Sequence, residues 1–288
     1  MIRRIKRIIK EMVKNAAGRY ALLTLKYDSN AAIRKIAKSI DHIRQNKAWT
    51  NEEKHVLLLI ENLRNELENS TQSIIVTDYG AGNSTSGKTR EEMESGTDSK
   101  RVIGDICKIA ASPSKWGKLM FSIIRNYQPA RCLELGTSLG ISGSYQLAAM
   151  KINKKGELIT IEGAGQVAKK AIENFQKLEY SNYSVKVGKF SDVLPSLLSK
   201  DLLFDLVFID GHHDKKATEQ YFEQLYPFLS NNSVVIFDDI DWSEGMKQVW
   251  QQIYRDKRIT CSFDLLKWGV CIIDKSGKKQ KRYYQLSL

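Results

Sequence analysis

Cysteine is scarce in this sequence, and the few residues it has are scattered. Cys107, Cys132, Cys261 and Cys271 are the only four in 288 residues, and none forms a C-x-x-C pair. That excludes a disulfide framework or a cysteine zinc site and leaves reduced core thiols, as in a cytoplasmic protein. No apolar run approaches the roughly 20 residues that cross a bilayer, so no transmembrane segment is expected. No secretory h-region with a small-residue cleavage site follows the start. Acidic residues are rare near the N-terminus. The first 50 residues hold 13 Lys/Arg against 3 Asp/Glu, so +10 of the net +12 sits there. The rest is nearly balanced and lacks the basic stripe of a nucleic-acid enzyme, so no nucleic-acid partner is expected.

What is present is enough for a real core: 42% apolar residues over a length that suits one or two domains. Residues 2–15 place Ile2, Ile5, Ile8, Ile9, Met12 and Val13 on one helical face, with Arg and Lys opposite. That face lacks the Trp or Phe of a membrane-surface helix, so packing on the domain or in a dimer is the favoured reading. Helices are expected over 30–46 and 51–69. The second starts at Thr50 and Glu53, spaced as a capping box. The segment 1–100 reads as a basic helical cap or oligomerisation module, with a flexible polar loop near 80–100, and a homo-oligomer through these helices is expected.

Within that loop, Gly82 to Thr89 fits the phosphate-loop pattern G-x-x-x-x-G-K-T, with Ile74, Ile75 and Val76 upstream like its strand. The pattern needs a buried helix to follow, because the helix N-terminus holds the anion. Here Arg90-Glu-Glu-Met-Glu-Ser-Gly96 follows, with one apolar residue and three glutamates. The match is read as accidental.

From about 101 the texture changes. Helices are expected at 101–111 and 115–127. Strands at 131–135, 157–161, 183–187, 204–209 and 233–237 then alternate with helices, and two more strands near 259–265 and 268–274 follow. This predicts an α/β fold: a Rossmann-like, doubly wound, mostly parallel sheet of seven strands, whose ligands bind beyond the strands' carboxyl ends. The informative residues fall at those ends. One strand runs into Glu134-Leu-Gly136-Thr-Ser138-Leu-Gly140-Ile-Ser142, and glycines there let backbone turn and approach a ligand. The next ends at Glu162, placed to accept hydrogen bonds from both ribose hydroxyls or, more plainly, to cap a helix. Asp210 closes a further strand, and Asp238 and Asp239 close the one after it. Helix capping would explain one such acid. Three at adjacent strand ends favour a hard divalent cation such as Mg²⁺.

These motifs resemble the class I S-adenosylmethionine-dependent methyltransferases over about 101–275. The Asp210, His213, Asp238, Asp239 pattern is similar to the metal-dependent O-methyltransferases of the catechol and macrolide-sugar types. The resemblance implies that Glu134, Gly136, Ser138, Gly140 and Ser142 hold the methionine part of S-adenosylmethionine and Glu162 its ribose. Ser191 and Asp192, in the Gly188-Lys-Phe-Ser-Asp192 turn, would flank the adenine, and Asp210 would face both cofactor and metal. His213 stands where catechol-type members carry Lys. A histidine titrates ordinarily near ~6.5, which suits a base for a hydroxyl proton; His212 is the other candidate. Trp116, Tyr145 and Trp242 are candidate pocket walls or core residues.

The function expected of 101–288 is therefore methyl transfer to a small-molecule hydroxyl with metal help. Alternatives are a peptide or other macromolecular acceptor gripped by the basic arm, or a metal-independent enzyme. A nicotinamide oxidoreductase would need G-x-G-x-x-G, which is not at this turn. Base N-methylation would need [D/N]-P-P-[F/Y], where this chain has Asp210-Gly-His-His213.

Overall fold

The computed structural model describes residues 18–79, 82–83, 86–87, 95–198, 201–276 and 281–288. The expected helix at 2–15 lies outside them. Its centre is one eight-stranded sheet. In chain order the strands are β3 (Arg131–Leu135), β4 (Glu157–Glu162), β5 (Tyr183–Val187), β6 (Phe204–Ile209), β7 (Leu229–Phe237), β8 (Cys261–Asp264), β9 (Gly269–Asp274) and β10 (Arg282–Gln285). Across the sheet they run β10-β8-β9-β7-β6-β3-β4-β5. The five strands from β7 to β5 are parallel to their neighbours. Strand β9 is antiparallel to both β7 and β8. The sheet thus has one strand more than the sequence predicts. The extra one, β10, pairs parallel with β8 at the sheet edge, and its alternating, half-exposed residues give little apolar signal.

Both faces are covered. On one side lie α1 (Ala31–Arg44), α4 (Ser114–Tyr127) and α5 (Ile141–Asn153), sharing a core with Phe121, Tyr145, Phe208 and Trp268. On the other, α8 (Lys215–Leu225) and α9 (Glu244–Arg255) bury Tyr221, Phe222 and Trp250 against Val207, Val235 and Phe237. Near-continuous apolar strands are what a sheet covered on both faces requires.

The N-terminal helices belong to this core. Helix α1 is capped by the Asn30 side chain and buries Ile33, Ile36 and Ile40 completely. The Ser39 hydroxyl of α1 donates to the carbonyl of Ser122 in α4 at 2.9 Å. Helix α2 (Asn51–Glu68) carries the capping box expected at Thr50 and Glu53. Its Leu57, Ile60, Leu63 and Leu67 are buried in the same cluster. The apolar stripes of these two helices are thus spent inside the chain, with Leu58 and Leu59 left exposed on α2.

Within the loop expected near 80–100, the described residues from Thr97 are strand. Strand β1 (Ser73–Asp78) pairs antiparallel with β2 (Thr97–Val102) over six residues, forming a separate two-stranded sheet. Helix α3 (Ile103–Ala110) follows directly, so the helix expected from 101 begins two residues later. Within the phosphate-loop match, Gly82–Asn83 pairs antiparallel with Ser86–Gly87. The strand upstream of the match, β1, belongs to the two-stranded sheet with β2 and not to the parallel one. Lys88 and Thr89 lie outside the described residues. Among those residues no helix is long and apolar enough to cross a membrane.

Candidate active site

The site arises from strand register. Ile161 pairs with Leu135, Leu135 with Ile209, and Ile209 with Phe237. The three pairs form one row across β4, β3, β6 and β7. The next residue on each strand is Glu162, Gly136, Asp210 and Asp238. The hydrogen-bond ladder continues one step into this row: Gly136 N–H donates to Ile161, Asp210 to Leu135 and Asp238 to Ile209, at 2.9–3.0 Å. Beyond that step the strands splay into loops around a cavity of about 330 Å³.

Gly136 and Gly140 have φ of 106° and 81°, in the left-handed region. A Cβ on Gly136 would meet the Asp210 carbonyl oxygen, and one on Gly140 the Phe175 ring. The loop between them brings the Ser138 N–H to Glu162 Oε2 at 2.8 Å, while Glu162 Oε1 accepts from Ala164 N–H at 2.9 Å. Burial pushes the Glu162 pKa up, against these donors and the Gly163 N–H. Gly136, Ser138 and Glu162 all line the cavity.

Glu134 lies elsewhere. It is fully buried beneath the loop and outside the main cavity lining. Its oxygens accept from Gln146 at 2.9 Å and Thr160 at 2.8 Å, and Ser142 adds a third bond. Burial pushes its pKa up to about 7, against those three bonds. Glu134 and Ser142 therefore brace the loop from inside. Ser142 also borders a small side cleft with Gly136, Ser138 and Asp210. Ser191 and Asp192 are exposed and bonded to each other at 2.9 Å, outside the lining. Their neighbours Gly188, Lys189 and Phe190 line the cavity instead.

The acid end is built as expected but compensated differently. Burial and the adjacent Asp238 carboxylate, to which it is hydrogen bonded, hold Asp210 well above the usual carboxylate range. His213 Nε2 lies 3.7 Å from Asp210 Oδ1. His212 Nδ1 is 2.7 Å from the Tyr221 hydroxyl, and its ring packs edge-on to Phe190. Both histidines line the cavity with positive φ, as do Ser138 and Asp239. Such backbone strain clusters at functional sites. Of the aromatic candidates, Tyr145 is buried and bonded to Glu61, Trp116 packs on Trp268, and Trp242 stands beside His213. None of the three lines the cavity.

Lys267 is the residue the sequence reading missed. It lies in the turn between β8 and β9 and carries no motif, and its carbonyl accepts from the Ile240 N–H at 3.0 Å. Its Nζ is 2.8 Å from Asp238 Oδ1 and ion-paired to Asp239 Oδ1. Burial works against its charge, but the two carboxylates outweigh it and raise its pKa. Asp238 and Asp239 are, with Asp210, the acids on which Mg²⁺ is expected from the sequence. Two of those acids already hold an ammonium, and Asp210 and Asp238 hold each other. Among the described residues no cluster of acidic, histidine or cysteine side chains is arranged to hold a metal ion.

Residues 133–240 match a family model described as a methyltransferase domain. None of the curated proteins matches the chain in sequence. Among solved structures, the chain is similar to the O-methyltransferase TomG of Streptomyces achromogenes, which is involved in tomaymycin synthesis. The two share 22% identity at a TM-score of 0.51, over 57% of this chain and 82% of that one. An O-methyltransferase from Bacillus cereus gives 19% identity and a TM-score of 0.51, over 58% and 84%. At such identities the likeness establishes the fold. The family match covers β3 to β7, the strands that build the row. Residues 133–240 thus match a methyltransferase domain, on a fold shared with these O-methyltransferases.

Proposed function

We propose that the chain methylates a hydroxyl of a small molecule. The observation that carries this is one cavity joining the glycine loop and Glu162 at one end to His213, Asp210 and Lys267 at the other. S-Adenosylmethionine, when bound, supplies a methyl group already activated on a sulfonium. The chain's part is to hold, align and accept a proton. Glu162 accepts from the Ser138, Gly163 and Ala164 amides, and the roughly four lone-pair sites of a carboxylate leave acceptor capacity for ribose hydroxyls. Tyr79, on the segment after β1, packs against Gly163 and under the Lys189 ammonium, roofing that end. Ile109, Ala110, Ala111 and Pro113 give the cavity an apolar wall for an acceptor. Holding the acceptor in line with the methyl group is proximity catalysis. His213 takes the hydroxyl proton, with Asp210 fixing the imidazole. No metal step is included, because the acids do not fit one.

The peptide-acceptor reading rests on the basic N-terminal arm, residues 1–50; its described part, 18–50, does not line the cavity. The four cysteines are buried and free, which supports a cytoplasmic setting. Calorimetry with S-adenosylmethionine, followed by labelled-methyl transfer to small hydroxyl compounds and to peptides, tests the reading. Transfer to peptides alone would overturn it.

A further inference from the structure

The acid end carries a cation of its own. Lys267 Nζ contacts Asp238 Oδ1 at 2.8 Å and pairs with Asp239 Oδ1. A divalent ion on this row would need the same two oxygens. It would then sit within a few ångströms of an ammonium, and two such charges about 4 Å apart repel strongly in a partly buried site. The lysine is also not a loose surface group. Its backbone is pinned to Ile240, its turn is closed by the Leu265 N–H to Trp268 carbonyl bond at 2.8 Å, and its side chain lines the cavity. The adjacent Leu266 has a φ of 72°, in the left-handed region.

We propose that Lys267 is the resident cation of this site. Its ammonium takes the place of a divalent metal on Asp238 and Asp239 and excludes one. It leaves a fixed positive charge facing the acceptor oxygen beside His213. The metal exclusion stands on geometry alone; the role toward the acceptor rests on the methyltransferase reading. An ammonium so placed stabilises the negative charge that develops as the hydroxyl loses its proton, as preorganised charges do elsewhere.

The experiment has two separate arms. In the first, Mn²⁺ is titrated into wild type, Lys267→Met and Lys267→Arg, with free Mn²⁺ followed by electron paramagnetic resonance. Wild type and Lys267→Arg should bind none at millimolar metal. Lys267→Met, which frees both carboxylates, should bind one ion at least tenfold more tightly. In the second arm, methyl transfer by wild type should be unchanged in EDTA, while Lys267→Met should lose most of its turnover and regain part of it with Mg²⁺. One Mn²⁺ bound by wild type and lost in Asp239→Asn would overturn the proposal. So would wild-type turnover that falls in EDTA and returns with Mg²⁺, or a folded Lys267→Met that binds no Mn²⁺. Should Lys267→Met not fold, the wild-type titration and EDTA assay still decide. The Mn²⁺ arm does not depend on activity, so failure of the methyltransferase reading would show separately, as absent S-adenosylmethionine binding.

Discussion

A Cβ placed on Gly136 would lie 1.9 Å from the carbonyl oxygen of Asp210. The contact is with backbone, so no side chain can swing away, and the φ of 106° adds strain for any other residue. Gly136→Ala should cost about 2–4 kcal/mol of stability, a large effect for one methyl group. It should also abolish S-adenosylmethionine binding, since the loop must shift. Urea unfolding and calorimetry check this; near-wild-type values in both would show that the approach of β3 to β6 is looser than described.

Glu162 ties the glycine loop to the turn after β4 through the amides of Ser138 and Ala164. Glu162→Ala should weaken S-adenosylmethionine binding at least tenfold, about 1.4 kcal/mol. Unchanged affinity by calorimetry would remove Glu162 from the cofactor site.

His213 and His212 differ in their partners, Asp210 and Tyr221. His213→Ala should lower kcat by about a hundredfold, within the usual range for a lost general base. The deficit should shrink as pH rises and the acceptor ionises unaided. His212→Ala should lower kcat by less than about tenfold. A reversed ranking in steady-state assays would make His212 the base.

Glu134 holds its proton more tightly in the folded chain, because burial lifts its pKa from 4.5 to about 7. Its contribution to stability is complete below pH 4.5 and is lost as pH rises through about 7. Relative to Glu134→Gln, wild type should lose up to about 3 kcal/mol over that window. Parallel pH profiles of the two proteins in denaturant melts would place the titration elsewhere.

Much of this was legible in the sequence because it is local. Apolar runs of five or six residues gave β3 to β7, and helical spacing of Ile33, Ile36 and Ile40 gave α1. The Thr50–Glu53 spacing gave the start of α2. Strand ends are also local, so Glu162, Asp210 and Asp238 could be named as site residues from the turns that follow them. Pairing is not local. That residues 73–78 meet 97–102 depends on backbone hydrogen bonds across a polar stretch with little alternation, and β10 joins the sheet with the same weak signal. Charge compensation is the least local feature. Three carboxylates in one row imply a cation, and the sequence could state that need. Only the fold could answer it with Lys267. The lysine is 28 residues from Asp239, and a turn pinned to Ile240 carries its ammonium to those oxygens. The sequence determined that the site would be acidic, and the tertiary structure decided which positive charge balances it.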